Sequence, residues 1–227
     1  FYLPTYRANE LIAKMPSVDP TIMNETEKKQ IIAAAKYVRA YEHFLMANSW
    51  GDVPLITSTS TSENLTKPRT PVAQVYAAVI KDLTEAAADL PTTVNASNSI
   101  TIHNRYQVLA LLAKVHLYLG NWTNAENAAS EVISSGQYQL VTGVNNVFRR
   151  GSREAIFSFG STGTGLLFDN RTVIGWLTIP ASVGNATTNY CALTTNVISS
   201  FETGDQRRVN GNWVINLFGF NFPNKYL

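Results

Sequence analysis

Arg105-Tyr-Gln-Val-Leu-Ala-Leu-Leu-Ala-Lys-Val-His-Leu-Tyr-Leu-Gly-Asn-Trp-Thr-Asn-Ala-Glu-Asn-Ala-Ala-Ser-Glu-Val-Ile-Ser-Ser-Gly-Gln-Tyr-Gln-Leu140 decides the fold. Val108, Leu111, Leu112, Val115 and Leu119 recur at the spacing of one helical face. Leu109, Ala113 and Leu117 make a second apolar strip, which predicts a helix buried on more than one side. Gly120 ends that helix, because glycine enters the left-handed conformation without steric cost. Ala125, Ala128, Ala129, Val132 and Ile133 then repeat the period until Gly136. Small alanines let the second helix lie close to the first. The result is a generic helical hairpin or one unit of the tetratricopeptide kind, and either form needs neighbours to cover its faces.

Those neighbours lie upstream. Tyr6 to Met15 reads as a short helix broken by Pro16 and Pro20. Asn24-Glu-Thr-Glu27 has the form of a capping box with Asn as the cap. It opens a long helix, carried by Ile31, Ile32, Ala35, Val38, Tyr41, Leu45 and Met46, that runs to about Ser49 and closes at Gly51. Val53, Leu55 and Ile56 form an extended apolar segment around Pro54. Residues 58–70 read as a polar surface loop. Val72 to Leu90 is a further helix, stopped by Pro91. Ala34–Gly51 with Val72–Leu90, and Asn104–Gly120 with Trp122–Ser135, therefore form two hairpins. Aligning Gly51 with Gly120 sets Ala40 against Leu109 and Phe44 against Ala113, a degenerate repeat. Trp50 and Trp122 fall at the hairpin turns and read as structural.

After Leu140 the pattern changes. Glu154-Ala-Ile-Phe-Ser-Phe159 has β-rich composition and reads as a strand or an extended edge. Residues 160–190 carry no regular pattern. Thr194 to Glu202 reads as a helix ended by Gly204. An aromatic tail follows: Trp213, Phe218, Phe220, Phe222 and Tyr226. The expected fold class is mainly α, with tetratricopeptide-like hairpins, a loop-rich segment and little β. The expected organisation is a single, partial domain over 1–227. Within it, 24–140 is a helical-repeat core and 141–227 an irregular, aromatic-rich segment. Both ends read as though cut from a longer chain.

Bulk properties exclude several classes. The 227 residues suit one domain with a real core, burying roughly 70% of the unfolded surface. A net charge of +2 argues against nucleic acid or an acidic membrane surface as partner. Charged residues are 15%, against about 25% ordinarily. The polar surface comes instead from 21 Asn, 23 Thr and 16 Ser, which suits hydroxyl-rich ligands and an extracellular setting alike. Cys191 is the sole cysteine, so no internal disulfide forms, and it reads as a small buried hydrophobe.

No catalytic constellation emerges. His43, His103 and His116 lack metal-ligand spacing, so neither a metal nor another cofactor is expected. His116 reads as a core residue. Gly160-Ser-Thr-Gly-Thr-Gly165 lacks the Lys-Ser/Thr of a phosphate loop. Glu154, Asp169, Glu202 and Asp205 show no spacing that pairs two of them for glycoside hydrolysis. Asp205 with Arg207 and Arg208 reads as a structural ion pair. Asn-x-Ser/Thr triplets starting at Asn24, Asn64, Asn95, Asn121, Asn170 and Asn185 are chance products of the composition.

Sugar binding asks for flat apolar faces beside planar donors and acceptors. Asp169, Asn170, Arg171, Trp176 and Tyr190 offer these in the irregular segment, and Trp213 and Tyr226 in the tail. The alternative is that Trp176 and Trp213 anchor loops.

Several stretches together resemble the SusD/RagB-like nutrient-binding lipoproteins of Bacteroidetes. They are Tyr37-Val-Arg-Ala-Tyr-Glu-His-Phe44 with Gly51-Asp-Val-Pro-Leu-Ile56, and Arg69-Thr-Pro-Val-Ala-Gln-Val-Tyr-Ala-Ala-Val-Ile-Lys-Asp-Leu83 with Leu90-Pro91. Leu112-Ala-Lys-Val-His-Leu-Tyr-Leu-Gly-Asn-Trp122, Val132 to Leu140, Glu154-Ala-Ile-Phe157 and Phe201-Glu-Thr-Gly-Asp-Gln-Arg207 complete the set. The resemblance implies a non-enzymatic, surface-exposed outer-membrane lipoprotein that binds glycans or peptides. It implies a SusC-like TonB-dependent transporter as partner, and membrane contact only through a lipid anchor that this chain does not carry. Members are about twice as long. A helical-repeat scaffold for protein segments and a glycan-processing enzyme are the competing readings.

Overall fold

The computed structural model describes residues 1–93, 103–147, 152–157, 192–217 and 219–223. It divides into two compact units, Phe1–Gln137 and Tyr138–Leu227.

The first unit is a stack of helices: α1 (Tyr2–Lys14), α2 (Glu25–Trp50), α3 (Thr61–Leu65), α4 (Val72–Asp89), α5 (Arg105–Tyr118) and α6 (Trp122–Ser134). α2 packs on α4 and α5 on α6, the two hairpins expected from the sequence. α4 also packs on α5, joining the hairpins, and α1 covers α2. Val75, Val79, Leu83 and Ala86 of α4, all at most 1% exposed, recur at helical spacing in the centre of the stack. The small-residue contact is present on α6, where Ala125 and Ala128 are buried with Val132. Both glycines aligned in the repeat have φ +70°. Ala40 and Leu109, set against each other by that alignment, are both buried.

The helix starts follow local chemistry. Asn24 Oδ1 accepts from the Glu27 N–H at 3.0 Å, and Glu27 Oε2 accepts from the Asn24 N–H at 3.1 Å. Asn104 and Gln107 repeat this device at α5, so the first helix of each hairpin has a capping box. α4 starts at a proline and draws its cap from elsewhere: Asp52 Oδ1 accepts from the Val72 N–H at 2.8 Å. α1 begins earlier than expected, at Tyr2, because Pro4 sits in the first turn, where its missing N–H costs nothing.

A buried polar network fixes α1, α2, α4 and the 53–58 segment together. Arg39 donates twice to Asp82, Nε to Oδ2 and Nη2 to Oδ1, each at 2.7 Å. Its Nη1 donates to Asn9 Oδ1 at 2.8 Å, and Asn9 Nδ2 donates to the Ile56 carbonyl at 3.1 Å. The Ile56 N–H donates to His43 Nε2 at 3.2 Å, which requires the proton on Nδ1, facing the Arg39 carbonyl at 2.9 Å. Burial holds the His43 imidazole below its ordinary pKa of 6.5. Nothing in the periodicity marked this network.

Several expectations need correction. Trp50 and Trp122 are not buried at the turns: they are 56% and 66% exposed. Trp50 meets the Phe1 ring edge-on, at 5.2 Å between centroids. The second strip of α5 ends early, since Leu109 is buried and Leu117 is exposed. The 58–70 loop contains α3, capped by Ser60.

The second unit carries α7 (Thr195–Ser199), capped by Thr194, and a hairpin of β1 (Val214–Leu217) and β2 (Phe220–Pro223). The strands are antiparallel, with Leu217 opposite Phe220, and Gly219 between them takes φ +83°. This hairpin was not expected from the sequence. Val214 and Phe222 form its buried face. α7 is shorter than the expected Thr194–Glu202 helix, and Gly204 lies in a turn beyond it. Residues 154–157 are not a strand. The Ala155 N–H donates to the Ser152 carbonyl at 3.3 Å and the Glu154 N–H to Ser152 Oγ at 3.3 Å, a turn that leaves no ladder to join. The rest of that stretch, 158–159, lies outside the described residues.

Candidate functional site

Of the expected ligand residues, only Trp213 lies within the described part of the chain. Asp169, Asn170, Arg171, Trp176, Tyr190 and Tyr226 lie outside it, as does Cys191. Trp213 is half-buried at the start of β1. Its indole N–H donates to the Val144 carbonyl at 3.0 Å, and the Arg207 guanidinium sits 5.7 Å from its ring centroid. Arg207 also faces Phe201, at 5.8 Å. Asp205 accepts from Arg207 Nε at 2.9 and 3.0 Å, the structural ion pair expected there. Hydrogen bonds from the Arg207 side chain and backbone hold the Asp205 carboxyl below its usual pKa. The aromatic faces and the cation are thus locked to one another, and Trp213 is tied to the 144–146 turn.

That turn opens onto a cleft of about 690 Å³ within the second unit. Asn145, Asn146, Glu154, Gln206 and Asn212 line it, together with aliphatic residues of the 140–147 segment. The amides form a relay. Asn212 Nδ2 donates to the Gln206 carbonyl at 2.6 Å, and Asn145 Nδ2 donates to Asn212 Oδ1. Asn146 Nδ2 donates to the Thr142 carbonyl at 2.8 Å, and Glu154 Oε2 accepts from the Val141 N–H at 3.1 Å. Asn146, Glu154, Gln206 and Asn212 are therefore each oriented by a main-chain partner, and Asn145 by the Asn212 side chain. Of this group the sequence marked Glu154, as a carboxylate with no second one spaced to pair with it. The Thr142-Gly143-Val144-Asn145-Asn146 run was the available signal for the rest.

A second cavity, of about 280 Å³, lies in the first unit, lined by Tyr2, Tyr6, Pro54, Ile56, Asn64 and Leu65 among others. Asn64 donates to the Ser58 carbonyl at 2.8 Å, and its buried Oδ1 has no protein partner. Among the described residues, no group of three or more His, Cys, Asp or Glu side chains could hold a metal ion. His116 is buried, as expected, and desolvation holds its pKa below 6.5. No helix among the described residues is long and apolar enough to cross a membrane.

A family model described as "SusD-like_3: Starch-binding associating with outer membrane" matches residues 1–117, just over half of the chain. The chain belongs to the SusD-like family. The matched region holds α1 to α4 and nearly all of α5, so the family relation rests on the helical stack. SusD-like protein P38 of Formosa agariphila is 31% identical over 144 residues, 63% of this chain and 27% of that protein. A SusD-like protein of Bacteroides ovatus is 26% identical over 161 residues, 66% of this chain and 29% of that one. The chain thus covers less than a third of these relatives. Among solved structures, a laminarin-binding SusD-like protein is similar at 28% identity and a TM-score of 0.59, over 65% of this chain and 33% of that one. A SusD superfamily protein of Parabacteroides distasonis, 21% identical, matches 99% of this chain and 54% of its own at a TM-score of 0.74, a likeness of fold.

Proposed function

We propose that this SusD-like chain is part of a surface-exposed outer-membrane lipoprotein that captures an oligosaccharide and passes it to a SusC-like TonB-dependent transporter, without catalysing any change in it. The family match over residues 1–117 carries this reading, and its description as starch-binding and outer-membrane-associated supports it. The laminarin-binding neighbour supports a glycan as the class of ligand. We take residues 1–227 as part of one SusD-like domain whose helical stack is the scaffold.

The ligand is held by the second half of the chain. Asp169, Asn170, Arg171, Trp176, Tyr190 and Tyr226 remain the proposed contacts there, with Trp213. The indole N–H of Trp213 is engaged by the Val144 carbonyl and Arg207 lies over its ring, so a sugar would meet the ring itself and not its N–H. The oriented amides of the 145–212 relay are the complementary hydroxyl partners.

Affinity electrophoresis of the chain through gels containing laminarin, starch or no polysaccharide tests the reading. Retardation that free oligosaccharide abolishes is the expected result, with no new reducing ends released. Release of product would replace the reading with an enzyme. Absence of retardation by any glycan, together with tight peptide binding, would replace it with a protein-interaction scaffold.

A further inference from the structure

We infer that the 145–212 cleft selects neutral, hydroxyl-rich glycans and rejects acidic ones, an inference that rests on the glycan reading above. Main-chain carbonyls accept hydrogen bonds and cannot donate, so each carbonyl that an amide meets fixes which end of that amide faces it. The Gln206 carbonyl holds Asn212 by Nδ2, which leaves Asn212 Oδ1 as the atom that receives Asn145. Asn145 must therefore meet it through Nδ2 and keep its own oxygen uncommitted. The Thr142 carbonyl fixes Asn146 the same way, at 2.8 Å, and the Gly204 carbonyl fixes Gln206 through Nε2, at 3.3 Å.

The balance left over is one-sided. Asn145, Asn146 and Gln206 each retain one N–H, against an amide oxygen with both lone pairs. Glu154 has one carboxylate oxygen on the Val141 N–H and adds only acceptors. No lysine or arginine is among the described residues that line the cleft. Arg153 and Arg207, each next to a lining residue in the chain, are engaged by Gln139 Oε1 and by Asp205. A sugar hydroxyl donates one proton and accepts through two lone pairs, so a neutral glycan satisfies the surplus oxygens with its O–H groups. A uronate or sulfate ester brings further acceptors and a negative charge to a wall whose one formal charge among the described residues is the Glu154 carboxylate.

The test is isothermal titration of the chain with a neutral gluco-oligosaccharide and with a uronic-acid oligosaccharide of equal length. The expected result is binding of the acidic ligand at least about tenfold weaker. Glu154→Gln should narrow that ratio. Gln206→Ala should weaken neutral binding about fivefold or more, the loss of one hydrogen bond. It leaves the relay intact, because the relay uses the Gln206 main-chain carbonyl. Equal or tighter binding of the acidic ligand would overturn the selectivity. Neutral binding that neither variant alters would remove the ligand from this cleft while the glycan reading stands. Failure of both ligands and of the gel assay above would sink the glycan reading itself, and this inference with it.

Discussion

Replacing Arg39 with methionine removes the centre of the network that joins α1, α2 and α4. Both side chains of the Arg39–Asp82 pair are 11% exposed, so the interaction is not discounted as a surface ion pair would be. Arg39→Met leaves the Asp82 carboxylate buried without its two donors and Asn9 Oδ1 without its donor. Stranding one member of a buried pair costs about 3–5 kcal/mol. The lost acceptor contact at Asn9 adds roughly 1 kcal/mol. Asp82→Leu strands the guanidinium in the same way and should cost a similar amount. The double variant removes both charges together. It should be no less stable than the worse single variant, a coupling of about 2 kcal/mol or more. Urea unfolding followed by far-ultraviolet circular dichroism reads the helical unit directly and supplies the four stabilities of the cycle. Single losses below about 1 kcal/mol that simply add in the double variant would refute the reasoning, since that is how exposed pairs behave.

Three further outcomes follow from the fold. The His43 imidazole has its pKa lowered by burial, so the unfolded chain binds the proton more readily than the native one. Stability should therefore be complete above about pH 6.5 and fall as pH drops below it, and His43→Gln should flatten that part of a plot of urea midpoint against pH. Leu83, fully buried at the centre of α4, should cost about 2–5 kcal/mol on truncation to alanine, measured by the same unfolding assay. Gly51 takes φ +70° and ψ −117°, and nothing lies within 4 Å of an added Cβ. The cost of Gly51→Ala is then purely conformational, about 1–3 kcal/mol, and a thermal midpoint unchanged from the parent would contradict it.

The helical stack was legible because its signals are local. Periodicity along α4 and α5, and an asparagine before α2 and α5 with a glycine after each, act within a few residues of one another. The aromatic residues at the hairpin turns misled, because proximity to a turn says nothing of which way a ring faces. Trp50 and Trp122 project outward even though Phe44, one helical face away, is buried. The Arg39 network escaped because the links from Arg39 to Asn9 and Asp82 and from Asn9 to Ile56 span 30 to 47 residues and share no spacing. The β1–β2 hairpin escaped because Gly219 lay within what was read as an aromatic tail, and its positive φ was not anticipated. The cleft escaped for the same reason as the network. Asn145 meets Asn212 across 67 residues, and amide side chains carry no periodic signature.

The paired capping boxes bear on how the chain acquires its shape. Asn24 with Glu27, and Asn104 with Gln107, let the opening helix of either hairpin nucleate from contacts three residues apart. The wall around Asn145 closes only when partners 67 and 69 residues distant arrive, and loop closure of that span is slow. Refolding should then proceed in two phases: helicity returns first, and sugar-binding competence lags behind it. Stopped-flow circular dichroism, run beside a delayed addition of ligand, would separate the phases, and simultaneous recovery of both signals would contradict the order.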